Sequence, residues 1–187
     1  MKYRYAWFLL IPLIAGCATM ERLPGCIKVG PWGQVCPLPP AALPAVDANH
    51  IITVTRDGNS QTFLGRLHIG PDALRLAGFS LFGTHLFTIS YDGGAVTALP
   101  PDIDLHPELV IAMLEAGLAT PDEIRPRLHG LTLTVSRTAD TEVRELHERG
   151  HLVARITRTG APLAAARVDI EIPPAKLELR LTPVGQP

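Results

Sequence analysis

Leu74-Arg75-Leu76-Ala77-Gly78-Phe79-Ser80-Leu81-Phe82-Gly83-Thr84-His85-Leu86-Phe87-Thr88-Ile89-Ser90-Tyr91-Asp92-Gly93-Gly94 is the stretch that decides the fold. Leu74 and Leu76 flank Arg75, and Phe87, Ile89 and Tyr91 alternate with Thr88 and Ser90. A period of two sends successive side chains to opposite faces of a strand, so each segment has one greasy and one wet side. Asp92-Gly93-Gly94 supplies a turn, and a short run from Ala95 to Leu99 follows it. Strands joined this closely pair antiparallel.

The same pattern extends outward in both directions. Upstream, Ile52 and Val54 alternate with Thr53 and Thr55, Asp57-Gly58 makes a hairpin turn, and Phe63, Leu67 and Ile69 sit opposite Thr62, Arg66 and His68. Downstream the period changes. Leu109, Val110, Met113, Leu114 and Gly117 recur at helical spacing behind Pro107, a residue suited to a helix's first position. Thr120-Pro121-Asp122-Glu123 matches a capping box, which predicts a second helix beginning at Pro121 and limited by Pro126. Strands then return: Leu131, Leu133 and Val135, then Leu152 to Thr157, then Val168, Ile170 and Ile172, then Leu177, Leu179 and Leu181. Val143 and Leu146 fit either period. Nine or ten strands with a helical insert predict an α+β, mostly β chain. Its core is a strongly curved antiparallel sheet or open barrel.

The N-terminus reads differently. Lys2 and Arg4 precede an apolar run from Tyr5 to Leu13, and Ile14-Ala15-Gly16-Cys17 ends it. Those are the three parts of an export signal. A membrane-spanning helix needs about 20 apolar residues, and Tyr5 to Gly16 is shorter than that and interrupted by Pro12. Ile-Ala-Gly-Cys resembles the bacterial lipobox, which implies removal of residues 1–16 and acylation of Cys17. Each buried methylene contributes about 0.8 kcal/mol, so two or three acyl chains anchor a protein effectively permanently. Ala18 follows the cysteine, and in such lipoproteins the lack of aspartate there implies the periplasmic face of the outer membrane.

Three regions follow: the signal (1–16), a lipidated tether (17–49) and a β-rich domain (50–187). In the tether, Cys26 and Cys36 flank a Gly/Pro-rich loop. An oxidising periplasm favours a disulfide between them, contributing roughly 2–3 kcal/mol. A zinc site is the sharper alternative, but two sulfurs are too few ligands. Residues 37–47 carry too many prolines for a helix or a sheet interior and read as a stiff spacer. Removing residues 1–16 takes away Lys2 and Arg4 and no acid, leaving 15 basic against 18 acidic residues. No basic stripe is present, which argues against nucleic acid as a partner.

Behind a lipobox, this order of elements resembles the LolA/LolB superfamily of periplasmic lipoprotein carriers and receptors. The nearest local match is residues 74–89. Here Ser80-Leu81-Phe82-Gly83 stands where LolB-type receptors place a polar-Pro-Leu-Gly loop, so Phe82 occupies the place of their protruding leucine and Leu81 replaces the proline. The domain resembles still more a family of LolB-like lipoproteins that accompany gene clusters for aryl-polyene and fatty-acid-type synthesis. That likeness rests on the stretch from Leu81 to Gly94, the helical insert, and Arg144 with Leu152-Val153-Ala154-Arg155-Ile156. It implies an incomplete antiparallel β-barrel whose mouth is covered by the mid-chain helices as a lid, an apolar, acyl-holding cavity between them, and a periplasmic carrier or a product of such a cluster as partner.

No catalytic constellation stands out. His147-Glu148-Arg149-Gly150-His151 matches His-Glu-x-x-His formally, but Gly150 and the strand-like flanks favour a hairpin turn over a zinc-binding helix. Gly-x-Ser-x-Gly, a phosphate loop and a dinucleotide fingerprint are absent. Asp102 with Asp104, or Asp122 with Glu123, read as solvated charges and a helix-start bias. The expectation is a non-enzyme with no metal or cofactor. Leu67, Leu76, Phe87 and Ile89 on the sheet, with Leu109, Val110, Met113 and Leu114 on the helix, either fill a dry core or line a cavity for a lipid or acyl chain. Leu81 and Phe82 either tuck inward or stand exposed for contact with membrane or cargo.

Overall fold

Alternation of apolar and polar residues becomes one large sheet. The computed structural model describes residues 23, 25–100, 105–160 and 165–185, so the signal and Cys17 lie outside the described residues. In chain order the elements are β1 (Ile27–Lys28), β2 (Gln34–Val35), β3 (Val46–Arg56), β4 (Asn59–Ile69), β5 (Leu74–Phe79), β6 (His85–Tyr91) and β7 (Val96–Leu99). Then come α1 (Pro107–Leu118), α2 (Pro121–Ile124), β8 (Leu128–His129), β9 (Thr132–Arg137), β10 (Thr141–Glu148), β11 (His151–Thr159), β12 (Arg167–Ile172) and β13 (Leu177–Pro183).

Ten strands form a sheet in the order β7-β6-β5-β4-β3-β13-β12-β11-β10-β9. Each half, β3–β7 and β9–β13, is a meander of neighbouring antiparallel strands. The halves join where the last strand returns to the first, pairing Leu179 with Val54 and Leu181 with Ile52. Strands β7 and β9 end the sheet, which is not closed into a barrel. Side chains at the predicted inward positions are buried: Ile52, Leu74, Ile89, Ile170 and Leu181 are all within 1 % of full burial. At Gly65 and Gly78 the inner face has no room for a Cβ, which would collide with the Ile52 side chain and the Phe87 ring.

Helix α1 departs from the expected lid. Every residue from Val110 to Leu118 is buried, Glu115 included. A helix buried on all sides sits inside a core and does not shield one face of it. The sheet lies on one side, through β6, β7 and β11, and β1 touches the helix as well. The capping box holds as read: Glu123 N–H donates to Thr120 Oγ1, and Thr120 N–H donates to Glu123 Oε2 at 2.8 Å.

The tether assignment for residues 17–49 also needs correction. Ile27, Val29, Val35, Leu38 and Leu43 belong to the same buried cluster as α1. Strand β3 begins at Val46, inside the assigned spacer, and Pro40–Ala42 is a short 3-10 turn. Prolines exclude a ladder, but they also bring no N–H that burial would orphan. Residues 25–43 therefore pack as a strap over the helix, ordered partly by a second small sheet, β1-β2-β8. Cys26 and Cys36 are joined by a disulfide with Cα atoms 4.1 Å apart.

Candidate ligand site

Register fixes which loops share an end of the sheet. Arg56 pairs with Asn59 across the β3–β4 turn and with Leu177 at the start of β13, while Leu64 pairs with Phe79 at the end of β5. The 57–58 turn and the start of β13 therefore lie together, and the 80–84 loop leaves β5 toward the same end of the sheet. At this end a hollow of about 680 Å³ opens, lined by Val54, Phe63, Leu86, Phe87 and Leu105, with Arg56, Asp57, Asn59 and Gln61 as its polar side. That size falls within the roughly 300–1,000 Å³ typical of small-molecule pockets. Phe63 and Phe87 meet edge to face at 5.0 Å in its wall. A register shift sets the wall: Gly78 pairs with Phe87 and Phe79 with His85, leaving Leu86 without an opposite residue. Such a bulge re-aims side chains, and Leu86 joins Phe87 at the hollow.

The loop beside the hollow is tightly built. Ser80 Oγ accepts from Thr84 N–H at 3.0 Å and Phe82 N–H at 3.3 Å; Ser80 C=O accepts from Gly83 N–H at 2.9 Å. Gly83 takes φ +83°, a left-handed conformation that glycine adopts freely. Local hydrogen bonds thus close the turn without burying its side chains. Leu81 is 69 % and Phe82 97 % exposed. Of the two readings of these residues, the structure takes the exposed one.

The eight residues expected to line a cavity do not surround this hollow. Phe87 does. Leu67, Leu76, Ile89, Val110, Met113 and Leu114 lie in the continuous buried cluster, and Leu109 packs against it. The greasy space expected beneath residues 107–118 is occupied by their own packing, because α1 lies in the sheet's concavity and the strap covers it. His147 and His151 lie on either side of a hairpin turn, with Arg149 and Gly150 at φ +49° and +83°. Among the described residues no group of three or more His, Cys, Asp or Glu could hold a metal ion, and no helix is long and apolar enough to cross a membrane.

Sequence reasoning missed a set of buried charges. Strand β10 turns Glu142, Arg144, Leu146 and Glu148 inward. Arg144 donates to the Ala116 and Ala119 carbonyls at 2.6 and 2.5 Å, neutralising the C-terminal end of α1, and pairs with Glu142. Although burial works against ionisation, Arg137 and Arg144 hold the Glu142 carboxyl below its usual range. Glu148 accepts from Trp32 N–H in the strap. Glu115 Oε2 accepts from Leu38 N–H at 2.9 Å, while its Oε1 has no partner among the described residues. Burial pushes the Glu115 carboxyl up to about 7, against the pull of Leu38 N–H and Arg127. Two core carboxylates therefore hold the strap by its backbone. The available signal was the lone acid in an otherwise apolar helix face, Glu115.

Fold and site together define a class: a mostly β protein whose open antiparallel sheet packs on a buried helix and leaves at one end a hollow with an apolar and a polar wall. Residues 47–185 match the family described as protein of unknown function (DUF3261), and the chain belongs to it. None of the curated proteins matches the chain.

Proposed function

We propose that this protein is a lipid-anchored envelope protein, held at the periplasmic face of the outer membrane through Cys17, that takes one hydrophobic chain into the hollow and helps move it to or from the bilayer. The hollow's walls of Phe63, Leu86, Phe87 and Leu105 carry this reading. Its mechanism is desolvation without covalent chemistry. Burying apolar surface contributes about 25 cal/mol per Å², so a long acyl chain gains several kcal/mol on entry. The exposed Leu81 and Phe82 suit contact with the membrane or the cargo. Likeness to LolB-type receptors adds the same direction, with a periplasmic carrier or a product of a polyene or fatty-acid-type cluster as the loading partner. Native mass spectrometry of the purified protein is the test. An acyl-lipid mass that stays bound supports the reading, and a mass equal to the chain alone, even after incubation with fatty acid, rejects it.

A specific observation favours a second reading. Seven of the eight residues expected to line a cavity are packed into the core around α1. On that view the domain is a ligand-free scaffold that binds a partner in the envelope. It predicts no acyl binding, and retention of envelope function when the hollow is filled by Leu86→Trp.

A further inference from the structure

The two walls of the hollow differ in kind, and cross-strand register shows where the change falls. Successive inward positions on β4 are Phe63, Gln61 and Asn59, about 7 Å apart, running out toward the 57–58 turn. Their neighbours across the ladder on β3 are Ile52, Val54 and Arg56. Beyond Phe63 the inner face is closed: Ile52 fills the space over Gly65, and the Phe87 ring fills that over Gly78. An occupant of the hollow therefore ends at the Phe63 and Phe87 rings and extends outward past Gln61 and Asn59. On the β6 side, Leu86 and Phe87 keep the other wall apolar as far as the rim, where Leu86 is 43 % exposed.

We propose that the hollow takes a single-chain amphiphile with an uncharged, hydroxyl-bearing head, its chain on the Phe63, Phe87 and Leu86 wall and its head on the Gln61 and Asn59 amides. The inference rests on the reading of the hollow as an acyl-chain site and supplies the other half of the ligand. Two observations select the head. The first is hydrogen bonding. Gln61 and Asn59 line the hollow, and their amides make no side-chain hydrogen bond among the described residues. A bare hydrocarbon laid along the hollow strips water from them and returns nothing. A hydroxyl head replaces that water, because each amide both donates and accepts. The second is charge. Asp57 lies 3.2 Å from Lys176 and 3.9 Å from Arg56, so both cations already face a carboxylate. An ionic head competes with those pairs, whereas a neutral one leaves them in place.

The test measures displacement of a fluorescent fatty acid from the purified protein by monolauroylglycerol and by methyl laurate, which share chain and ester and differ in the head hydroxyls. The parent is compared with Gln61→Leu and Asn59→Leu, two exposed positions, and methyl laurate binding by each variant reports that its hollow is intact. The inference expects Gln61→Leu to weaken monolauroylglycerol about tenfold and Asn59→Leu about threefold, with methyl laurate not weakened by either. An equal change for both ligands, or none for either, overturns the inference and leaves the acyl-chain reading standing. So does laurate that binds about tenfold tighter than monolauroylglycerol and loses that margin in Arg56→Gln, which assigns the head to a carboxylate. Failure of the parent to bind any of the three ligands overturns both readings, so the two failures are distinguishable.

Discussion

Glu115 is fully buried with one amide donor and a second oxygen that has no partner among the described residues, so its charge is poorly compensated. The folded protein holds its proton up to about pH 7, while the unfolded chain loses it near 4.5. The folded state therefore binds more protons between those values, and stability falls as pH rises through that window, by on the order of 3 kcal/mol. Glu115→Gln cannot ionise and can still accept from Leu38 N–H. Melting curves at pH 5 and pH 8 check this: the gap between variant and parent shifts in the variant's favour at pH 8, and a gap independent of pH refutes it. Gly78 acts through space alone. A Cβ there meets the Phe87 ring, so Gly78→Ala is expected to lower stability by about 1–3 kcal/mol in chemical denaturation and to push Phe87 into the hollow.

Arg144 ties α1 to β10, linking an element that reads clearly in the sequence to one that does not. Arg144→Ala removes the partner of the α1 C-terminal carbonyls and leaves Glu142 without its most buried cation, an expected loss of about 3–5 kcal/mol by urea unfolding. Reducing Cys26–Cys36, or replacing both by serine, is expected to lower stability by about 2–3 kcal/mol and to raise hydrogen exchange at Leu38 N–H. Strands such as β6 and β12 were legible because every second side chain is apolar, and α1 because its apolar residues recur at helical spacing. Strand β10 was obscure for a physical reason: beside Leu146 its inner face is Glu142, Arg144 and Glu148, charges tolerable there because Arg144 meets the Ala116 and Ala119 carbonyls and Glu142, and Glu148 meets Trp32 N–H. The strap was misread likewise. Proline content excludes regular structure, yet burial of residues 25–43 depends on a groove beside α1 and on Glu115, 77 residues from Leu38.

At the scale of the whole molecule, a mostly β chain built on one large antiparallel sheet followed from the count of alternating segments. The position of the hollow did not, because it is set where a bulge brings Leu86 to the rim beside Phe87. The expected cavity under Met113 is core; the open space is at the end of the sheet, between the 57–58 turn and the start of β6. The most direct test of the account is titration of the protein with a fluorescent fatty acid, comparing the parent with Leu86→Trp, which fills the hollow from its exposed rim. The account predicts saturable binding by the parent, displaced by unlabelled fatty acid and lost in Leu86→Trp while the melting temperature is kept. No saturable binding by the parent, or equal binding by Leu86→Trp, would contradict it.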